Sequence, residues 1–246
     1  TVTGAPAGTF EFQNEDAENI ELGLKYASDR MELNLTLFKT EYENQQTSIF
    51  DGVLSFFVGN VSASELEGVE LDGRFLISDG FELYASAASM DFKYTDFKTG
   101  QCGYSETPVA GYCDRTGYTA PFLPDTTANF GINYETALSS GMLLDLNINA
   151  SHSSDYLLLT AHDSLHTENG FTKLGAHVGL SSASGAWRIS LIGDNLTDER
   201  VKVFGVGLPL GRTFVRLASG GALDGIAYYS FYQRPRNITL KLDYNF

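Results

Sequence analysis

The chain has 246 residues, with 31 acidic against 16 basic side chains and a net charge of −15. That field repels nucleic acid, whose phosphates need clustered Lys and Arg, so no nucleic-acid partner is expected. No apolar run reaches the roughly 18 residues of a membrane helix, which excludes helical spans and leaves strand-built ones open.

Residues 1–18 are rich in Gly, Pro, Asn, Glu and Asp and read as a loop. From Asn19 to the last residue, apolar and polar side chains alternate with period two, the mark of strands with two unlike faces. Ile20, Leu22, Leu24 and Tyr26 oppose Glu21, Gly23 and Lys25. Met31, Leu33, Leu35 and Leu37 oppose Glu32, Asn34 and Thr36, and Val69, Leu71, Phe75 and Ile77 oppose Glu70, Asp72 and Arg74. Phe81, Leu83 and Ala85 oppose Glu82 and Ser86, although this strand loses its clean pattern after Ala88. Five further alternating stretches follow. The clearest comes last, where Ile238, Leu240, Leu242, Tyr244 and Phe246 oppose Asn237, Thr239, Lys241, Asp243 and Asn245.

The spacing predicts nine strands at 19–28, 30–45, 65–78, 81–97, 125–136, 142–156, 171–180, 186–202 and 235–246. Ser28-Asp29, Ser78-Asp79-Gly80, Ala137 to Gly141 and Ser181 to Gly185 suit tight hairpin turns. Between them lie the long segments 46–64, 98–124, 157–170 and 203–234. Short and long connections alternate, so all the tight turns fall at one end of the sheet. A transmembrane barrel has this asymmetry, with short periplasmic turns and longer extracellular loops.

A water-soluble sandwich, for instance one that binds carbohydrate, also has one apolar face per sheet. Strands this long exceed the usual soluble length of about 5–6 residues and suffice for the roughly 9–11 that cross a bilayer. The polar face carries Glu32, Glu70, Asp72, Arg74, Glu82, Asp145, Arg188, Lys241 and Asp243, which a wet or plugged lumen accommodates and a packed interior does not. The fold expected is therefore all-β, a transmembrane antiparallel up-and-down barrel. Nine strands is an odd count and leaves two unpaired edges in lipid, so the chain is expected to be the carboxy-terminal part of a larger barrel. Any secretion signal is then expected to have been cleaved or to lie upstream, since Thr1 to Gly8 has no basic region followed by an apolar run.

Candidate chemistry is thin. His162 and His166 are four apart without helical signals around them, no HExxH motif occurs, and His152 and His177 stand alone, so solvated or structural histidines are expected. No G-x-S-x-G elbow accompanies Ser151-His152 or Ser164 and His166, and no carboxylate pair can be placed in a pocket. Neither an enzyme activity, a metal nor a cofactor is expected. Cys102 and Cys113 sit in one polar segment and either close a small disulfide loop or remain free thiols. That segment also holds Tyr104, Tyr112 and Tyr118, and segment 46–64 holds Phe50, Phe56 and Phe57. Those six rings either face a ligand or pack against other loops and lipid or lipopolysaccharide headgroups. Tyr228, Tyr229, Phe231 and Tyr232 are expected to continue their strands beyond the membrane. Asn195 and Asp198 read as a turn or bulge that uses their side chains to bond backbone.

Five stretches, in order, resemble the carboxy-terminal portion of TonB-dependent outer-membrane receptors. They are Glu18-Asn19-Ile20-Glu21-Leu22-Gly23-Leu24-Lys25, the run Leu37 to Gln45, Leu66-Glu67-Gly68-Val69-Glu70-Leu71-Asp72, the run Asp194 to Arg200, and Arg234-Pro235-Arg236-Asn237 leading to Phe246. The resemblance implies a barrel of about 22 strands, the size of plugged outer-membrane transporters, of which residues 19–246 would be the last nine strands, with residues 1–18 an extracellular loop. It also implies a plug region and a short energy-coupling box, neither within this chain. Such a receptor imports a scarce small molecule or metal chelate, such as a ferric siderophore, cobalamin or a saccharide, by contact with an inner-membrane energy-coupling complex. For Tyr244 and Phe246 it implies a signal read by the barrel-assembly machinery; packing at a strand end is the simpler alternative.

Overall fold

The computed structural model describes residues 12–50, 56–60, 63–103, 106–107, 109, 111–159, 166–207, 218, 220–221 and 228–245. Nine long strands form one antiparallel sheet: β1 (Asp16–Ala27), β2 (Met31–Glu43), β5 (Ala63–Ser78), β6 (Phe81–Asp96), β7 (Thr126–Ala137), β8 (Leu143–Ser153), β11 (Phe171–Ser181), β12 (Trp187–Asp194) and β15 (Asn237–Tyr244). Each lies beside the previous long strand of the chain, giving an up-and-down meander. Three two-stranded ribbons stand at the end away from the tight turns: β3 (Gln46–Phe50) with β4 (Phe56–Asn60), β9 (Tyr156–Leu157) with β10 (Thr167–Glu168), and β13 (Lys202–Gly207) with β14 (Tyr228–Tyr232).

Eight of the nine expected spans match to within about three residues, as helps any boundary read from alternation. β1 starts at Asp16, inside the stretch read as loop. The remaining span, 186–202, is corrected: β12 stops at Asp194, because Asn195 and Asp198 adopt left-handed φ of 49° and 58°. The Asn195 side chain accepts from the Glu199 N–H at 3.0 Å and donates to the Glu199 carbonyl at 2.9 Å, closing a turn where the ladder would have continued. Segment 46–64 is likewise corrected from a loop to the ribbon β3–β4 among its described residues. There Asn44 turns left-handed at φ 52°, and its carbonyl accepts from the Asn60 amide at 2.5 Å, so the hairpin of β2 and β5 resumes after a kink.

Register carries each face across the whole sheet. Tyr134, Leu146, Val178, Leu191 and Leu240 are successive neighbours on β7, β8, β11, β12 and β15, and Leu35, Leu71, Ala87 and Ala128 form a parallel row on β2, β5, β6 and β7. These rows lie open: Leu240 is 73% exposed, Leu191 49% and Leu71 42%. Among the described residues no second sheet packs on either face, which is not how a sandwich is built. Aqueous proteins do not leave an apolar stripe of this extent uncovered; hydrocarbon is the solvent that suits it.

The opposite face is held by polar contacts. Arg74 forks onto Glu32 at 2.9 and 2.7 Å, Arg188 reaches Asp145 at 2.8 Å, and Asn147 donates to Asn133 at 2.7 Å and to the Tyr84 hydroxyl at 3.2 Å. Two aromatic rings lie over glycines directly across the ladder, Phe38 over Gly68 and Tyr84 over Gly131. A Cβ on Gly131 would stand 2.1 Å from the Tyr84 ring, so only glycine leaves room for it.

Candidate functional site

The loop after β6 does not project away from the sheet; it folds back over the polar face. Phe92 and Tyr94, on that face of β6, and Phe97 beyond it form a buried cluster against Leu66, Ala120 and Leu123. Their rings meet edge to face at 5.0 and 4.9 Å. This is why the alternation fades after Ala88: Phe92 and Tyr94 are apolar on the polar face because a loop covers them there. Backbone bonds complete the attachment, Tyr94 N–H to the Tyr118 carbonyl at 3.0 Å and Gly117 N–H to the Tyr94 carbonyl at 2.7 Å.

Within this loop Cys102 and Cys113 are joined by a disulfide, with Cα atoms 5.0 Å apart. Beside it, Arg115 is 1% exposed and clamps the loop. Its guanidinium donates to the Gln101 carbonyl, to Glu106 at 2.7 Å, and lies 5.5 Å over the Tyr118 ring. A buried cation without such partners would be very costly, so these contacts and the arginine require one another. Asp114, at the loop surface, is held below the usual carboxylate range by the Thr116 hydroxyl and N–H.

A second module stands over β8, β11 and β12. Leu158 is fully buried, the His166 ring meets Tyr228 at 4.9 Å, and a Cβ on Gly205 would stand 3.2 Å from Leu158. The Lys202 N–H donates to Glu168 at 2.8 Å and the Tyr156 hydroxyl to the Lys202 carbonyl at 3.2 Å. On the other side of the β13–β14 ribbon, Phe204, Tyr229 and Phe231 stand partly or fully exposed with centroids 5.8–6.2 Å apart. Tyr228, Tyr229, Phe231 and Tyr232 thus lie in strand that extends beyond the sheet.

The expected ligand-facing residues divide by position. Tyr112 is half-buried in the disulfide loop and Tyr118 is exposed beside Arg115, while Tyr104 lies outside the described residues. Phe50, Phe56 and Phe57 stand on the β3–β4 ribbon, above β2 and β5, with their side chains outside the described part. Tyr244 is at the opposite, tight-turn end, exposed and paired with Trp187; Phe246 lies outside the described residues. The histidines are dispersed: His152 contacts Thr172 at 2.9 Å, His177 is 3.3 Å from Asp145, His166 is buried, and His162 lies outside the described residues. Arg115 and the Phe92–Tyr94–Phe97 cluster were not singled out from sequence; the loss of alternation after Ala88 was the available signal.

The sequence model of the family described as TonB dependent receptor-like, beta-barrel, matches residues 2–196. Among solved structures, the ferric yersiniabactin uptake receptor FyuA from Yersinia pestis is similar with a TM-score of 0.69 and 16% identity over 94% of this chain and 30% of that one. The siderophore receptor PiuA from Acinetobacter baumannii gives 0.68 and 18% over 99% of this chain and 30% of that one. The ferric citrate transporter FecA gives 0.60 and 17% over 91% and 30%. At these identities the likeness is one of fold, and the chain spans about 30% of the length of each of these structures. None of the curated proteins matches the sequence.

Proposed function

Since the chain belongs to the TonB-dependent receptor-like β-barrel family, we propose that it is the carboxy-terminal part of an outer-membrane receptor for energised uptake of a scarce small molecule or metal chelate. The ligand would be a ferric siderophore, cobalamin or a saccharide. The family match over most of the chain carries this reading. The geometry supports it: an apolar face for lipid, a polar face for a lumen, and loops laid over the polar face at one end, where an incoming ligand would meet them.

On this reading the tight turns and the carboxy terminus are periplasmic, and the ribbons with Phe50, Phe56 and Phe57 and the disulfide loop with Tyr112 and Tyr118 face the outside. The residues ahead of β1 enter from that side, and the nine long strands from β1 onward form barrel wall. Lipid and lipopolysaccharide surround the apolar face, the assembly machinery reads the strand ending in Tyr244 and Phe246, and the inner-membrane energy-coupling complex acts through a plug region. The family is one of transport receptors, not enzymes.

A passive porin-like barrel is the second reading, and the loop resting on the polar face is the observation in its favour, because such loops narrow passive pores. Uptake of labelled ferric siderophores, cobalamin and oligosaccharides by cells producing the full-length protein separates the two. Energised import predicts accumulation of one ligand that a protonophore abolishes; uptake indifferent to the protonophore would leave the passive channel.

A further inference from the structure

The β11–β12 ladder begins at Ala176 and Gly193, so residues 171–175 of β11 have no partner from β12. The turn after Asp194 is tied on instead, with the Leu196 N–H on the Leu174 carbonyl at 2.8 Å and the Thr197 hydroxyl on the Thr172 carbonyl at 3.1 Å. Between this patch and the outer part of β8 lies a hollow of about 280 Å³, lined among others by Asn149, Ser151, Lys173, Asp194, Arg234 and Asn237.

Its charges differ from those around Arg74, Arg188 and Lys241 on the same face. Arg74, Arg188 and Lys241 each hold a carboxylate, on Glu32, Asp145 and Asp243. Among the described residues, Lys173 and Arg234 form no ion pair; the Lys173 ammonium donates to the neutral Gln233 amide at 2.6 Å. Among the described residues Asp194 is the one carboxylate lining the hollow, so two cations face one anion there, in a chain whose net charge is −15. A concave site with surplus positive charge focuses its field on an anion, and a guanidinium beside amide and hydroxyl donors suits the oxygens of a carboxylate or phosphate.

We propose that this hollow is an oxyanion-binding subsite in which Lys173 and Arg234 hold a carboxylate or phosphate group, with Asn149, Ser151 and Asn237 as hydrogen-bonding neighbours. Asn149, Ser151 and Lys173 belong to the polar rows of β8 and β11, so the oxyanion comes from solution, not from a lipid headgroup. The identity of the occupant as part of a transported ligand rests on the uptake reading; the anion preference does not.

The test is calorimetric titration of the full-length receptor with citrate as probe and glucose as uncharged control. It is run in phosphatidylcholine and in phosphatidylglycerol nanodiscs. The subsite predicts saturable citrate binding, similar in both lipids, no binding of glucose at the same concentrations, and about tenfold weaker citrate binding for Lys173→Gln or Arg234→Gln. Heat-modifiable electrophoretic mobility verifies that each variant is folded, and Lys241→Gln, outside the hollow, should bind citrate like the parent. Absence of citrate binding, equal binding by a folded Lys173→Gln/Arg234→Gln variant, or binding lost in phosphatidylglycerol would overturn the proposal. Binding without energised uptake would sink the transport reading and leave the subsite standing; uptake without citrate binding would do the reverse.

Discussion

Tyr84 and Gly131 show how a single missing side chain shapes the polar face. The ring occupies the space that a Cβ at 131 would need, and its hydroxyl accepts from Asn147, which also bonds Asn133. Gly131→Ala must displace the ring and disturb this network, at an expected cost of about 1–3 kcal/mol. In a Tyr84→Ala background the same change should cost far less, because the occupied space is gone. Denaturant unfolding of the full-length protein in detergent measures both; equal costs in the two backgrounds would show that the ring is not what Gly131 accommodates. Arg115 is the counterpart in the loop, a buried charge whose partners, Glu106 and the Gln101 carbonyl, lie within a few residues of the disulfide.

At the scale of elements, the outer modules are small cores built onto strand ends, and their stability depends on pH. Burial pushes the Tyr156 phenol above its ordinary value, and the nearby Glu168 carboxylate pushes the same way. A phenol whose value is higher folded than unfolded adds stability that is complete below the unfolded value, about 10, and is lost as pH rises through the folded one. Protease cleavage between Tyr156 and Thr167 should therefore begin to rise above about pH 10 in the parent protein. Tyr156→Phe, which also loses the bond to the Lys202 carbonyl, should start about 1 kcal/mol weaker and show a flatter alkaline rise. Identical pH profiles would remove Tyr156 as the titrating group.

The whole molecule depends on which face meets lipid. Leu191 lies between Val178 and Leu240 on the apolar face, whereas Thr239 lies on the polar face of β15. An arginine facing hydrocarbon costs about 2–4 kcal/mol at mid-bilayer, and one facing a lumen costs little. Leu191→Arg should thus lower the yield and unfolding free energy of the membrane-assembled protein, and Thr239→Arg should leave both near the parent values. The reverse result, read by folding into lipid vesicles, would invert the assignment of faces.

Strand positions, the antiparallel meander and its two unlike faces were legible in the sequence. Alternation is a local property: each strand's neighbours in sequence state which side faces which medium, and the turn residues set where the chain reverses. The five stretches from Glu18 to Phe246 likewise carry the resemblance to the receptor family in sequence alone. Contacts between segments far apart in sequence were not legible. Nothing in the run from Asp194 to Arg200 states that the turn docks on Thr172 and Leu174, and nothing near Lys173 states that Arg234 stands beside the same hollow. The rings of Phe92 and Tyr94 broke the expected alternation, but only the fold of the loop from Phe97 to Leu123 gave the reason. Sequence determined the wall, because its two solvents impose a period on every strand; tertiary structure decided what lies against the wall, because packing among distant segments carries no period.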